Sequence, residues 1–312
     1  MLYAFSILKL KADNYIYLTL TLKCKGEWFM LDTIEVEVNE LFDELITFAD
    51  EIIEERFFAD ILVNDLNTED FNRNFDKFIF TKSTSMLKSI LLLLKNNDFD
   101  GSLILTRTLL ESYEIGKAYR RDTNISKQLY YNSLKWRFEH LYIENNKIRL
   151  NKSKSKDCSS LSRLKEVNEG DEYLSILYSY LSAHVHVDLI TQWDYVDRDG
   201  FYSTNCYVDN NLVISIALYV YLKLFNMIIV WGKYYYAGDN YIDIGKKLYF
   251  KGLLVVKKVL DILINEYENI EKLCYDGIQN YIETLIFAFK VMKNKTNREI
   301  RKHKKSIVKA TF

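Results

Sequence analysis

The stretch Phe99–Arg121, FDGSLILTRTLLESYEIGKAYRR, decides the fold of this chain. Its apolar residues recur at helical spacing, which predicts a helix with one face buried against other helices. The members of that face are Leu103, Leu105, Leu109, Leu110, Tyr113 and Ile115. Arg107 and Glu111 lie four residues apart in the same helix. We expect part of this pair to face inward, where each charge needs a partner, and the best candidate partner is the stretch 178–188, YSYLSAHVHVD.

The composition is that of a folded helical protein. Proline is absent from the 312 residues and glycine occurs 10 times, and because both residues interrupt helices, their scarcity predicts long helices. Hydrophobic residues make up 49% of the chain and charged residues 27%, which excludes global disorder. The length allows one substantial core, or one large domain with a small appendage.

Charge and cysteine content exclude several classes of protein. The net charge of −1 gives no overall preference for nucleic acid or for an anionic membrane. The cysteines are too scattered for a zinc site or a disulfide framework, and they are Cys24, Cys158, Cys206 and Cys274. The first 15 residues, MLYAFSILKLKADNY, lack the features of a signal peptide. We therefore predict a cytoplasmic protein.

The segment 212–231, LVISIALYVYLKLFNMIIVW, is long enough to cross a bilayer. Lys223 and Asn226 lie inside it, and polar side chains are costly in the hydrocarbon core. The segment is therefore interpreted as the central helix of a bundle, buried nearly all round, and not as a membrane span. No membrane partner is predicted.

Two segments are predicted to form β-hairpins. Residues 16–25 and 28–38 alternate between apolar and polar residues on either side of Gly26, which predicts a small N-terminal hairpin. In the middle of the chain, Asp199 and Gly200 separate two aromatic-rich runs, which predicts a second, shorter hairpin within 191–209.

The rest of the chain has helical periodicity. Helices are predicted at about 39–62, 67–95 and 99–121, from Ser126 through Leu141, and at 171–189, 210–233, 240–267 and 270–292, with a polar loop at 145–160. The connections are short, so neighbouring helices should be antiparallel. The predicted fold is mainly α, an up-and-down multi-helix bundle with the two hairpins. Its predicted parts are an N-terminal β element (1–38), a helical bundle domain (39–292) and a basic C-terminal tail (293–312).

Arg107 and Glu111 have a structural and a functional interpretation. In the structural one they form an ion pair that sets the register of the helix, because buried pairs often specify an arrangement. In the functional one Arg107 anchors a phosphate or carboxylate, which suits its planar guanidinium. Both interpretations stay open at the level of sequence.

Ser182, His184 and His186 form a second candidate group. Ser182 and His186 share one helix face, while His184 points elsewhere. His186 could act as a general acid or base with Ser182 as its hydrogen-bond partner, or could cross-link the bundle through a hydrogen bond. A serine hydrolase is disfavoured, because the chain has no G-x-S-x-G nucleophile elbow.

The C-terminal segment 290–309 is strongly basic. Its candidate nucleic-acid-binding residues are Arg298, Arg301, Lys302, Lys304 and Lys305, with Lys293 and Lys295 just before them. Such a run can contact the phosphates of RNA, or can be a solvated terminus. The chain has no phosphate loop, dinucleotide fingerprint or H-E-x-x-H motif, so neither a cofactor nor a metal is predicted.

The pieces MLKSILLLLKNNDFDGSLILTRTLLESYEIGKAYRRD and LYSYLSAHVHVD resemble an uncharacterised bacterial family of helical domains of unknown function. That family has an Arg-Thr/Ser-Leu-Leu-Glu helix followed by a Ser-x-x-x-His helix. The matching positions are Arg107, Thr108, Leu109, Leu110 and Glu111, then Ser182 and His186. The resemblance covers about residues 80–235. In outline such domains are similar to the HEPN superfamily of helical bundles.

The HEPN resemblance implies a function. Many members of the superfamily dimerise and cleave RNA in toxin, abortive-infection and other phage-defence systems, so the resemblance implies a metal-independent ribonuclease. HEPN nucleases carry an Arg, then four to six residues, then a His on one helix. We take no His of this chain to have an Arg at that distance, and residues 179–181 before His186 are Ser, Tyr and Leu. Arg107 would therefore supply the guanidinium from another helix.

Two functions follow from these expectations. In the first, His186 transfers protons, Arg107 stabilises charge on the scissile phosphate, Glu111 orients Arg107, and the basic segment collects RNA. In the second, the protein is a non-catalytic interaction or scaffold module, acting through a homodimer or through a protein partner encoded nearby.

Overall fold

The computed structural model describes residues 32–56, 68–121, 141–144, 147–150, 171, 173–185, 210–230, 239–272 and 276–310. These ranges contain seven α-helices: α1 Asp32–Arg56, α2 Thr68–Lys95, α3 Phe99–Arg121, α4 Tyr173–Val185, α5 Asn210–Phe225, α6 Asp239–Glu271 and α7 Asp276–Ala310. One turn of π-helix, Asn226–Val230, continues α5. Strands β1 Leu141–Glu144 and β2 Lys147–Leu150 pair antiparallel, with Leu141 opposite Leu150. The mainly α class and the helical bundle are confirmed.

The predicted N-terminal hairpin is wrong where the structure describes it, because Asp32 begins helix α1. The alternating run Ile34, Val36, Val38 misled the prediction. Ile34 and Val38 are four residues apart and share a helix face with Leu41, whereas Val36 is 55% exposed. A short apolar alternation fits the period of a strand and also that of a helix. The longer helical pattern after it decides that the segment is a helix. Residues 1–31 lie outside the described ranges.

The second predicted hairpin, within 191–209, lies outside the described residues. The hairpin that the structure does contain is β1–β2, at positions where the sequence predicts the end of a helix and the start of a polar loop. Leu141, taken as the last apolar position of that helix, is the first residue of β1. Neither hairpin is therefore found at its predicted place in the part of the chain that is described.

Helix α5 is the centre of the bundle. It contacts α2, α3 and α6, and every residue from 211 to 222 is buried. Asn211–Val230 is the single segment in the described ranges that is long and apolar enough to span a membrane, and 78% of its most apolar window is buried inside the fold. This burial agrees with the predicted core helix. Tyr221 uses its hydroxyl group to bond Thr84 of α2, at 2.9 Å.

Helices α3 and α4 pack antiparallel. Three contacts define their register. Asp100 lies against His184 and Arg107 against Tyr178. Lys117 lies against Asp171, two positions before α4. Helix α3 begins after a short turn, in which the Asp98 carboxylate accepts a hydrogen bond from the Gly101 N–H at 2.9 Å. The register brings the stretch 99–121 into contact with residues 178–185, the described part of the second stretch singled out in the sequence.

The last helix is longer than its prediction. Helix α7 packs against α6 and α4 and continues past residue 292 to Ala310. Thr296 and Ile300 are buried beyond that point, which explains why the helix goes on. Part of the segment predicted as a basic tail therefore belongs to the bundle.

Candidate functional site

The predicted pair Arg107 and Glu111 forms an ion pair, with 3.3 Å between Arg107 Nε and Glu111 Oε1. Arg107 Nη2 donates a hydrogen bond to the Tyr178 hydroxyl at 2.8 Å, and the guanidinium carbon lies 4.9 Å from the centroid of the same ring. The side chains of Arg107 and Glu111 are 16% and 27% exposed. The guanidinium thus has partners within the fold, and the cluster links α3 to α4.

The second predicted group is only partly described. Ser182 Oγ donates to the Tyr178 carbonyl oxygen at 2.6 Å, so its hydroxyl closes a turn of its own helix. His184 is buried, with Nδ1 3.8 Å from Asp100 Oδ1. Burial lowers the pKa of His184, and the Asp100 carboxylate opposes that shift. His186 follows α4 and lies outside the described residues, so its convergence with Arg107 stays a prediction.

The basic segment of α7 divides into an inner and an outer part. Lys293 pairs with Asp261 at 2.5 Å and Lys295 pairs with Asp171, so both of these cations are engaged in the bundle. The five that follow are exposed, and they are Arg298, Arg301, Lys302, Lys304 and Lys305. Lys302 pairs with Glu299 at 2.8 Å. We call these five residues the α7 basic surface.

His303 lies at the edge of the α7 basic surface and was not among the predicted site residues. Four residues separate it from Arg298. Its ring stacks on Phe250 of α6, with centroids 4.7 Å apart and planes 17° apart. Burial lowers the pKa of His303, and the positive charge of Lys246 adds to that effect. The spacing was readable from the sequence, so this pair could have been found there.

A polar cluster around Asp171 was also missed. Lys117 of α3 and Lys295 of α7 both donate hydrogen bonds to its carboxylate. Burial alone would raise the pKa of Asp171, but the two lysines outweigh burial and hold that pKa below its ordinary value. Lys295 also lies over the Tyr173 ring, 4.8 Å from its centroid. These residues are far apart in sequence, and no local pattern connects them.

Next to this cluster, Tyr173 and Tyr219 share a hydrogen bond of 2.6 Å between their hydroxyl oxygens. Burial raises the pKa of both phenols, so both stay protonated. Lys223, one turn beyond Tyr219 on α5, is largely buried, and burial lowers its pKa. In the sequence, the position of Lys223 inside an otherwise apolar segment was the one feature that pointed to this cluster.

Within the described ranges, no group of three or more His, Cys, Asp or Glu side chains could hold a metal ion. The chain matches no protein-family model, and no curated protein or solved structure shows significant similarity to it.

Proposed function

We propose that this protein acts on RNA, binding the phosphodiester backbone along the α7 basic surface and cleaving it without a metal ion. The single observation that carries the proposal is the exposure of five cations on the last turns of α7, after two earlier ones are engaged by Asp261 and Asp171. The net charge of the chain is −1, so this local concentration of positive charge stands out from the molecule as a whole.

The α7 basic surface suits a phosphate backbone. Arg298 and Lys305 lie seven residues apart, which is about 10 Å along a helix, so the surface can meet successive phosphates. Glu299 is the one acidic residue between residues 293 and 305, and Lys302 pairs with it. Contacts of this kind give affinity without base recognition and weaken as salt rises, because binding releases counterions.

His303 is our candidate for the cleavage step. Its lowered pKa favours the neutral imidazole, which can take the proton from a ribose 2′-hydroxyl group. The 2′-oxygen then attacks the adjacent phosphorus, the P–O5′ bond breaks, and the 5′-oxygen takes a proton from water while the imidazolium returns its own proton to solvent. The products are a 2′,3′-cyclic phosphate and a 5′-hydroxyl end. Arg298, exposed on the same helix, would stabilise the negative charge that develops on the phosphate.

The sequence offers a second catalytic assignment, in which His186 transfers the proton and Arg107 stabilises the phosphate. The contacts of Arg107 favour a structural role instead, because its guanidinium is ion-paired with Glu111 and donates a hydrogen bond from Nη2 to Tyr178. Those contacts also suit the non-catalytic interaction module predicted above. A toxin or phage-defence system remains the proposed setting, and rests on the HEPN resemblance alone.

The binding test uses the purified full chain and a fluorescently labelled single-stranded RNA, followed by anisotropy at several salt concentrations. The double variant Arg301→Gln with Lys305→Gln should bind at least about tenfold more weakly at low salt. The slope of log affinity against log salt should fall by about 1.4, since each lost phosphate contact on a single strand contributes about 0.7.

The matched control is Lys82→Gln with Lys95→Gln, which removes the same charge from two exposed positions on α2. This control should leave affinity and salt slope near wild type, because the charges lie on another helix. Equal weakening by both double variants would mean that net charge alone governs binding, and would contradict a site on α7.

Cleavage is tested with the same RNA and with growth after induced expression. We expect RNA cleavage and growth arrest for the wild type and for Arg107→Ala, and neither for His303→Ala. Loss of cleavage in His186→Ala with full activity in His303→Ala would replace our assignment by the second one. Binding without cleavage by the wild type would remove the nuclease and leave an RNA-binding protein.

A further inference from the structure

The outer face of α7 is a continuous row of solvent-exposed residues. Six of them are spaced three or four positions apart, so they follow one side of the helix. The first and the last are 18 positions apart, which is about 27 Å along the helix axis. We call this row the α7 outer stripe, and its members are Phe287, Lys290, Asn294, Arg298, Arg301 and Lys305.

Phe287 is the one apolar member of the α7 outer stripe. Its side chain is 58% exposed, and its ring contacts no other aromatic ring within the described ranges. A single exposed apolar residue is common on protein surfaces, so the exposure of Phe287 by itself assigns no role to it. The informative observation is its position, because the ring stands in line with a row of cations.

The α7 outer stripe carries positive charge without an acidic member. Four of its six residues are Lys or Arg, and the nearest exposed acid on the same side, Glu283, lies one turn before Phe287. Lys290 pairs with Glu268 of α6 at 2.6 Å, but the lysine side chain is still 52% exposed, and an exposed pair of this kind is weak. From residue 287 onward the stripe therefore favours a polyanion.

We propose that Phe287 is a base-stacking site, and that it makes the α7 outer stripe a binding site for single-stranded RNA. The inference rests on the proposed function, because the cations of α7 are taken to hold the phosphodiester backbone. Phosphates that follow a row of cations while a base stacks on an aromatic ring are the usual combination in proteins that hold single strands. Phosphates alone give no reason for an exposed ring in this row, whereas an unpaired base does.

The same arrangement discriminates against duplex RNA. In an A-form helix the bases are stacked on one another inside the duplex, so a ring on the surface of a protein helix has no free base face to contact. In a single strand a base can turn out towards the ring. Stacking tolerates every base, because each has a π face, so we expect a preference for unpaired RNA and not for a particular sequence.

Phe287 holds the strand at a distance from the proposed cleavage step. It lies 16 positions before His303, which is about 24 Å along the helix axis. The ring therefore contributes affinity and fixes where the strand lies on α7, and it takes no part in proton transfer. Its removal should weaken RNA binding without removing a phosphate contact.

The first test compares Phe287→Ala with the matched control Phe78→Ala on α2, since the Phe78 side chain is 57% exposed. In anisotropy with labelled single-stranded RNA, Phe287→Ala should bind about tenfold more weakly, which is within the effect of removing one stacking side chain. Its salt slope should match wild type, because no cation is lost. Phe78→Ala should bind like wild type. Wild-type affinity in Phe287→Ala, or equal weakening in both variants, would overturn the proposal.

Two further substitutions separate stacking from apolar contact. Phe287→Trp keeps a π face and should bind at least as tightly as wild type. Phe287→Leu keeps an apolar side chain without a π face and should lose as much affinity as Phe287→Ala. Full affinity in Phe287→Leu would contradict a stacking site.

The second test changes the RNA and leaves the protein intact. An abasic RNA of the same length keeps every phosphate and lacks the bases, so wild type should bind it as weakly as Phe287→Ala binds normal RNA. Phe287→Ala should bind both RNAs alike, because the base and the ring act as one pair. Fully paired RNA should bind wild type and Phe287→Ala equally. Equal weakening of both proteins by base removal would overturn the stacking site.

The outcomes separate this inference from the proposed function. RNA binding that falls in Arg301→Gln with Lys305→Gln, but not in Phe287→Ala, would keep the RNA site and overturn the stacking site. No RNA binding by wild type would overturn both. A dimer in sedimentation that Phe287→Ala converts to a monomer, with RNA affinity unchanged, would assign the ring to a second copy of the chain and overturn the proposal.

Discussion

Asp171 is the residue on which three parts of the molecule depend. Its carboxylate accepts hydrogen bonds from Lys117 of α3 and Lys295 of α7, and it lies two positions before α4. Two lysines offset the cost of burying the Asp171 carboxylate, whereas removing its charge leaves two partly buried ammonium groups without their shared partner. A single substitution here therefore disturbs the contacts among three helices.

We expect Asp171→Asn to lower the free energy of unfolding at about pH 7 by about 3 kcal/mol, the lower end for breaking a buried ion pair. Because the pKa of Asp171 lies below its ordinary value of 3.8 in the fold, its stabilisation is present above that value and is lost as pH falls through the folded pKa. Urea unfolding at several pH values, followed by circular dichroism, measures the difference.

The difference between wild type and Asp171→Asn should therefore shrink towards low pH. Exposed Asp43→Asn on α1 is the control and should change the free energy of unfolding by less than about 0.5 kcal/mol. A constant difference across the pH range would show that the carboxylate charge is not what stabilises the fold.

At the scale of elements, several glycines lie where helices approach closely, and two of them contrast in how far their neighbours can move. A Cβ atom at Gly252 of α6 would lie 2.6 Å from Leu222 Cδ2, inside the fully buried contact with α5. A Cβ atom at Gly116 of α3 would lie 2.9 Å from Met227 Cε, the end of a flexible side chain in the π turn. The Leu222 side chain is confined in the core, whereas the Met227 side chain can move.

Gly252→Ala should therefore lower the free energy of unfolding by about 1 kcal/mol or more, because overpacking costs about 1–3 kcal/mol and the gain in helix propensity returns about 1 kcal/mol. Gly116→Ala should be close to neutral, because Met227 can turn aside while the propensity gain remains. Thermal and urea unfolding of the two variants compare them directly. Equal destabilisation would refute the difference in confinement.

At the scale of the whole molecule, α7 closes the bundle. It packs along α6 and contacts α4. Lys295 of α7 pairs with Asp171, and Thr296 and Ile300 are buried in the core. The outer residues of the same helix form the α7 basic surface. One helix thus contributes to the core on its inner face and to the proposed RNA site on its outer face.

We expect a chain ending at Ile300 to keep nearly the wild-type free energy of unfolding and to lose most RNA affinity. A chain ending at Met292 should also lose about 3 kcal/mol or more, because Lys295, Thr296 and Ile300 are removed and Asp171 loses a partner. Urea unfolding and RNA anisotropy of both chains measure the two effects. Full stability of the shorter chain would mean that residues 293–300 do not belong to the bundle.

Much of the helical architecture could be predicted from local pattern. Helices α2 and α3 have the predicted bounds within one or two residues, and the stretches around Arg107 and Tyr178 meet as expected. The N-terminal hairpin was mispredicted over 32–38, because five alternating residues fit a strand and a helix equally well. The burial of Val38 and the exposure of Val36 show which period applies.

By itself the sequence determined the bounds of α2 and α3, the buried character of α5 and the inward-facing Arg107, because each depends on periodicity within one segment. Only the tertiary structure decided which charges meet. Lys117, Asp171 and Lys295 come from distant parts of the chain, and Lys223 lies in a cleft beside them. Their pKa values and partners depend on distances between helices, and these distances are set by packing and not by local sequence.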